Sequence, residues 1–155
     1  MKTVEPLVHE HDRFRTLLDA LEAAMDMRAD TTYVMRELCY TLAHRLEDHI
    51  RRERELLAAC RAPLGAEELM ALAEGHGDEC QALQRATWWL TDGSSPETAA
   101  RAAALLDLAI AQFRSHMDAQ EFKLYPALAW VLTRADRPVN RVARWLDAFP
   151  KPDGG

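Results

Sequence analysis

Apolar residues return along most of this chain in alternating steps of four and three, the spacing that keeps one face of an α-helix against a core. In the first such stretch Leu7, His11, Phe14, Leu18, Leu21 and Met25 share a face, and in the second the seam runs Met35, Cys39, Leu42, Leu46, His49, Glu53, Leu56 and Cys60. A third reads Leu69, Ala73, His76, Cys80, Leu83, Thr87 and Leu90, and a fourth Leu106, Ala109, Phe113, His116, Gln120 and Leu124. Punctuation separates them: Pro6, then Thr31 and Thr32, then Pro63 and Gly65, then the run from Thr91 to Pro96, where Ser95 suits an N-cap and Pro96 the first helical position. The pattern predicts helices over 6–27, 32–61, 66–91 and 96–133. Short connections make successive helices antiparallel neighbours, so the expected fold is an all-α, up-down-up-down four-helix bundle over residues 1–135. Residues 136–155 are expected to carry a short amphipathic C-terminal helix, with Val142, Trp145, Leu146 and Phe149 on one face, docking on the bundle.

Each seam contains a residue that a core does not want. His11, His49, His76 and His116 face inward, one per helix, and Glu53 follows His49 by four residues on the same face. A polar group taken out of water without a partner costs about 1 to 3 kcal/mol, and an unpaired carboxylate more. Counting outward from each loop at about 1.5 Å per residue brings the four histidines to one level of the bundle. Imidazole with carboxylate is the donor set of iron, manganese or zinc rather than of calcium. His9 lies about 200° around the helix from His11, and His44 falls between seam positions, so both are expected in solvent. Trp88, Trp89, Trp130 and Tyr125 read as packing residues or helix-end anchors.

Composition narrows the function. The net charge of -6 over 155 residues argues against a nucleic-acid surface, which needs clustered Lys and Arg. No stretch approaches the roughly 20 apolar residues that cross a bilayer, and the charged N-terminal residues do not form a signal peptide. A cytoplasmic protein is expected, with no nucleic-acid or membrane partner. Cys39, Cys60 and Cys80 are odd in number and form no CxxC pair, so they read as reduced thiols.

Glu10-His11, the segment His49 to Glu53, Gly75-His76 and the segment HMDAQEFKLYP from His116 to Pro126 together resemble the hemerythrin family in its bacterial HHE branch, over roughly residues 5–133. The resemblance implies a non-haem di-iron centre, two iron ions for which manganese or zinc could substitute. His11, His49, His76 and His116 would be terminal ligands, with Glu53 and Glu121 as bridging carboxylates. Two positions depart from the family. Cys80 stands where oxygen carriers have a second helix-three histidine, and reads here as a small buried hydrophobe. Gln120 stands where many bacterial members have glutamate. On a straight helix Gln120 lies only about 40° around the axis from His116 and Glu121 about 140°. Geometry thus favours Gln120, whereas charge favours Glu121, whose angle a π-bulge could absorb. The resemblance implies a protein that binds or senses dioxygen or nitric oxide; the family also includes enzymes and iron donors, acting in nitric oxide or peroxide reduction or iron-sulfur cluster repair.

Overall fold

A computed structural model describes residues 3–27, 30–60, 67–92 and 95–135, and every regular element among them is helical. The expected tail, residues 136–155, lies outside the described residues. Helix α1 spans Glu5–Asp26 and starts without a side-chain cap, Pro6 filling a first-turn position that needs no donor. Helix α2, Thr32–Cys60, begins where the Asp30 carboxylate accepts from the Thr32 N–H at 3.0 Å. Helix α5, Pro96–Ala119, begins on Ser95, whose hydroxyl accepts from the Thr98 N–H at 3.2 Å, so the cap expected from the sequence is formed.

The third stretch differs from the single helix expected over 66–91. It forms α3, Glu67–Glu74, and α4, His76–Asp92, with a break at Gly75. The glycine at the break meets a steric requirement. A Cβ at Gly75 would lie 2.1 Å from Cε1 of His116, so the imidazole of one helix occupies the space a side chain would take on the other. The fourth stretch is also interrupted: after α5 comes a π-helical turn, Gln120–Leu124, and then α6, Tyr125–Ala135. Pro126 has no N–H to donate to the carbonyl four residues back, and the ladder widens there, with the Tyr125 N–H reaching the Gln120 carbonyl.

Helix α1 packs on α2, α2 on α4, α4 on α5, and α5 returns to α1, while α6 meets α2 and α3 meets the π turn. Two apolar clusters fill the interior. The larger runs from Phe14, Leu18 and Leu21 through Leu42 and Leu46 to Leu106, Phe113 and Met117. The smaller holds Leu7, Leu56, Cys60, Ala73, Leu124, Tyr125 and Leu128. In each helical stretch a polar position falls between a member of one cluster and a member of the other: His11 between Leu7 and Phe14, His49 and Glu53 between Leu46 and Leu56, His76 between Ala73 and Cys80, and Gln120 between Met117 and Leu124. The polar residues form a layer inside the core, walled above and below by hydrocarbon. No helix among the described residues is long and apolar enough to cross a membrane.

The two glycines at the break behave differently, which tests the packing. Gly75→Ala is expected to destabilise the protein by about 1 to 3 kcal/mol as the methyl displaces the His116 ring. Gly77→Ala meets nothing within 4 Å and should be neutral or stabilising, since alanine is the better helix former. Equal melting temperatures for the two variants would contradict the contact.

Candidate metal centre

The structure brings His11, His49 and His76 together, all fully buried, with one nitrogen from each lying within 4.8 Å of the others. A second group joins His76 and His116 to Glu79. Glu53 is fully buried beside them. The lateral contacts of the rings are supplied partly by aromatics: Phe14 stands edge-on to His49 at 5.4 Å between centroids, and Phe113 edge-on to His76 at 5.5 Å.

Behind every histidine stands a carboxylate. His11 Nδ1 lies 2.8 Å from Glu121 Oε1, His49 Nδ1 2.8 Å from Glu10 Oε2, His76 Nδ1 2.9 Å from Glu79 Oε2, and His116 Nδ1 3.0 Å from Glu79 Oε1. A carboxylate only accepts, so each of these Nδ1 atoms carries the proton. Burial, with the neighbouring His49 and His76 adding to it, pushes His11 down to about 2, and burial pushes His49 down to about 4. Burial also lowers His76, against the pull of Glu79. All three rings are therefore neutral near pH 7, and their Nε2 atoms carry electron pairs that can only accept.

Those electron pairs face one another. His11 Nε2 lies 3.3 Å from His49 Nε2, and His76 Nε2 lies 2.9 Å from Gln120 Oε1. The amide of Gln120 is not free to turn its donor toward His76, because Nε2 already donates to Glu53 Oε1 at 2.9 Å and to the Leu72 carbonyl at 2.8 Å. Glu53 Oε2 is buried and, among the described residues, has no hydrogen-bond partner; burial, the largest influence on it, raises this carboxyl to about 8. Lone pairs directed at lone pairs around an orphaned carboxyl oxygen, in a layer closed by hydrocarbon, are what a cation would reconcile. The residues present fit a metal.

His116 differs from the other three. Burial opposes its protonation, but the Glu79 carboxylate, the Leu72 carbonyl and the charge of Glu53 outweigh burial and raise it; both of its nitrogens face acceptors, Nδ1 the Glu79 carboxylate and Nε2 the Leu72 carbonyl. Gln120 and Glu121 are also divided. The π turn begins at Gln120, after the residue has been aimed inward by ordinary helical spacing from His116, so it leaves Glu121 outside. The Glu121 carboxylate accepts from His11 Nδ1 and from Arg15 at 2.9 Å, on the far side of the His11 ring from His49. Tyr125 gains from the π turn what Glu121 does not. Five residues after Gln120 it is buried, with its hydroxyl 3.0 Å from His11 Nε2, which differs from the packing role expected of it. Burial, with the charges of Glu53 and Glu121 behind it, raises the phenol well above the ordinary tyrosine range.

Cys80 is buried with its thiol toward the Ala43 carbonyl, Glu47 and Gln84, and is in neither group of ligating atoms. Burial, with nearby Glu47 and Glu79, raises its thiol. Cys39 and Cys80 are in no disulfide, and His9 and His44 are exposed as expected. Glu10 and Glu79 were not read from the sequence as site residues. Glu79 was accessible to that reading, since it stands three residues after His76 on the same helix and metal-binding histidines regularly use a carboxylate on their other nitrogen. Glu10 reaches His49 across 39 positions of sequence, and only the packing of α1 on α2 reveals it.

The hemerythrin HHE cation binding domain matches residues 2–128 of this chain. No curated protein and no solved structure is a significant match.

The metal-free protein should show a stability optimum near neutral pH. Native His11, His49 and His76 stay neutral where the unfolded chain protonates near 6.5, so their contribution is present above 6.5 and is lost as the pH falls. Glu53 works in reverse: protonated up to about 8 when folded and only to 4.5 when unfolded, it stabilises at low pH and loses that effect as pH rises from 4.5 to 8. His116, raised on folding, also loses its contribution as pH rises above 6.5. Three histidines outweigh one carboxyl between 4.5 and 6.5, so the melting temperature of chelator-treated protein is expected to peak near pH 6.5 and decline on both sides. A steady rise from pH 5 to 8 would contradict these protonation states.

Proposed function

The chain belongs to the hemerythrin HHE cation-binding family, and on that premise we propose that it is an antiparallel up-down-up-down bundle holding two iron ions, with manganese or zinc as substitutes. The observation that carries the proposal is the pair of Nε2 atoms of His11 and His49 at 3.3 Å, to which the Tyr125 hydroxyl can give one proton, together with the buried Glu53 oxygen that has no hydrogen-bond partner among the described residues. The proposed ligands are His11, His49, His76, His116 and Glu53, with Glu121 as the sixth if it exchanges its Arg15 and His11 bonds for the ions. Bound iron would supply the chemistry that holds a diatomic ligand, dioxygen or nitric oxide, whose reversible binding or sensing is the proposed function, in the cytoplasm.

The protein's own contribution is positioning and exclusion of water. Glu10, Glu79 and Glu121 each hold an imidazole by its Nδ1–H, which fixes the ring and makes Nε2 a better donor. Arg52 pairs with Glu10, and Arg15 with Glu121, so the carboxylates are themselves anchored at the surface. His116 must release the Leu72 carbonyl to offer Nε2 to an ion. Phe14, Leu46, Phe113 and Met117 close the layer on one side with hydrocarbon, and Ile50 packs against them. A surface cleft of about 220 Å³, lined by Glu10, Arg13, Phe14, Arg45, Asp48 and Arg52, lies against the α1–α2 side of the site, separated from it by Glu10 and Phe14.

Protein expressed in iron-replete medium is expected to contain about two iron ions per chain by elemental analysis, and traces only of iron, manganese and zinc would remove the proposal. His49→Ala and Glu53→Ala should each lose most of one ion, while His9→Ala and His44→Ala keep both. Glu121→Gln decides the sixth position: loss of one ion makes it a ligand, and retention of both makes it the carboxylate that orients His11. Reversible uptake of dioxygen or nitric oxide by the reduced protein, seen optically, separates binding from catalytic turnover.

A further inference from the structure

We infer that Tyr125 is a metal ligand of this centre, its phenolic oxygen binding the same ion as His11 Nε2 and His49 Nε2; the inference rests on the iron-binding reading above. The phenol oxygen lies 3.0 Å from His11 Nε2 and 3.4 Å from His49 Nε2, and the two nitrogens lie 3.3 Å apart. Donors bound at about 2.1 Å to one first-row ion stand about 3.0 Å apart at right angles and about 3.4 Å apart at tetrahedral angles. All three sides of the triangle fall in that interval. The triangle is of the size that one shared ion requires, and its edges serve equally as hydrogen-bond distances in the metal-free protein.

Hydrogen bonding alone leaves the hydroxyl over-supplied with acceptors. His11 Nε2, His49 Nε2 and Gln120 Oε1, at 3.3 Å, all point at it, and one O–H proton satisfies one of them. A cation in the same place satisfies all of them together with the phenolate, the phenolic proton leaving to water as the ion enters. Charge points the same way. Gln120 faces the site as a neutral amide and Glu121 lies outside it, so among the described residues Glu53 is the carboxylate that reaches the Nε2 side of the layer, through Gln120. A phenolate supplies a second negative charge next to the two ions. The π turn makes this possible, since residues five apart on a straight helix would lie about 140° apart, whereas here Gln120 and Tyr125 both face inward.

The test uses the full chain loaded with iron, oxidised to iron(III), and measured for iron content, visible absorption and resonance Raman scattering. The expected result is a phenolate-to-iron(III) charge-transfer band whose Raman spectrum carries enhanced tyrosinate ring modes. Ring-deuterated tyrosine should shift those modes in the unaltered protein, so the reading survives even if a variant fails to fold. Tyr125→Phe should abolish the band, and Tyr33→Phe with Tyr40→Phe, both surface positions, should keep it. A chain that binds iron without tyrosinate modes, or a band that persists in Tyr125→Phe, overturns the ligand assignment and leaves the iron-binding reading standing. Absence of bound iron overturns both.

Discussion

The interior is organised by a set of electron pairs that have nowhere to go. Carboxylates stand on the Nδ1 side of four histidines, and burial keeps three of the rings neutral, which forces their Nε2 lone pairs toward the middle of a layer closed by hydrocarbon. A cation at its centre would relieve such an arrangement, in which each unsatisfied group costs on the order of 1 to 3 kcal/mol. The helices, their breaks and their surface ion pairs are arranged around that layer.

Both interruptions of helical geometry sit at the polar layer. The break at Gly75 removes a side chain where the His116 ring must pass. The π turn at Gln120 to Leu124 keeps two residues five apart on the inner face. The π turn also buries Leu124, a member of the smaller apolar cluster, but most of both clusters is carried by regular helix. Ion pairs that would be nearly negligible for stability on an open surface have a local effect here. Arg15 and Arg52 hold the carboxylates that hold His11 and His49, so their consequence is the direction of an imidazole rather than a fraction of a kilocalorie.

The helices and the histidine layer were legible because a long amphipathic period is the strongest signal a single sequence carries, and four histidines at one level violate it in register. The capping residue Ser95 and the solvent positions of His9 and His44 could be read the same way. The break at Gly75 was not, since Pro63 and Gly65 already explained a helix start and the reason for the break lies on another helix. Glu10 was quoted as His11's neighbour, yet it serves His49. Spacing along one helix predicts which residues share a face; it does not predict which side chain from a neighbouring helix completes them.

Tyr125 shows how a local departure changes the chemistry read from a motif. The glutamine at 120 takes the inward direction and brings no charge, while the glutamate at 121 brings charge and takes the outward direction. A bulge placed before Gln120 would have rotated Glu121 toward the histidine layer, but Pro126 sets the missing N–H, and so the widened turn, after Gln120. The residue that gains the inward position is the one whose own N–H closes that turn, Tyr125. The helix therefore exchanges a carboxylate for a phenol, and it does so through the placement of one proline rather than through any change at the histidines.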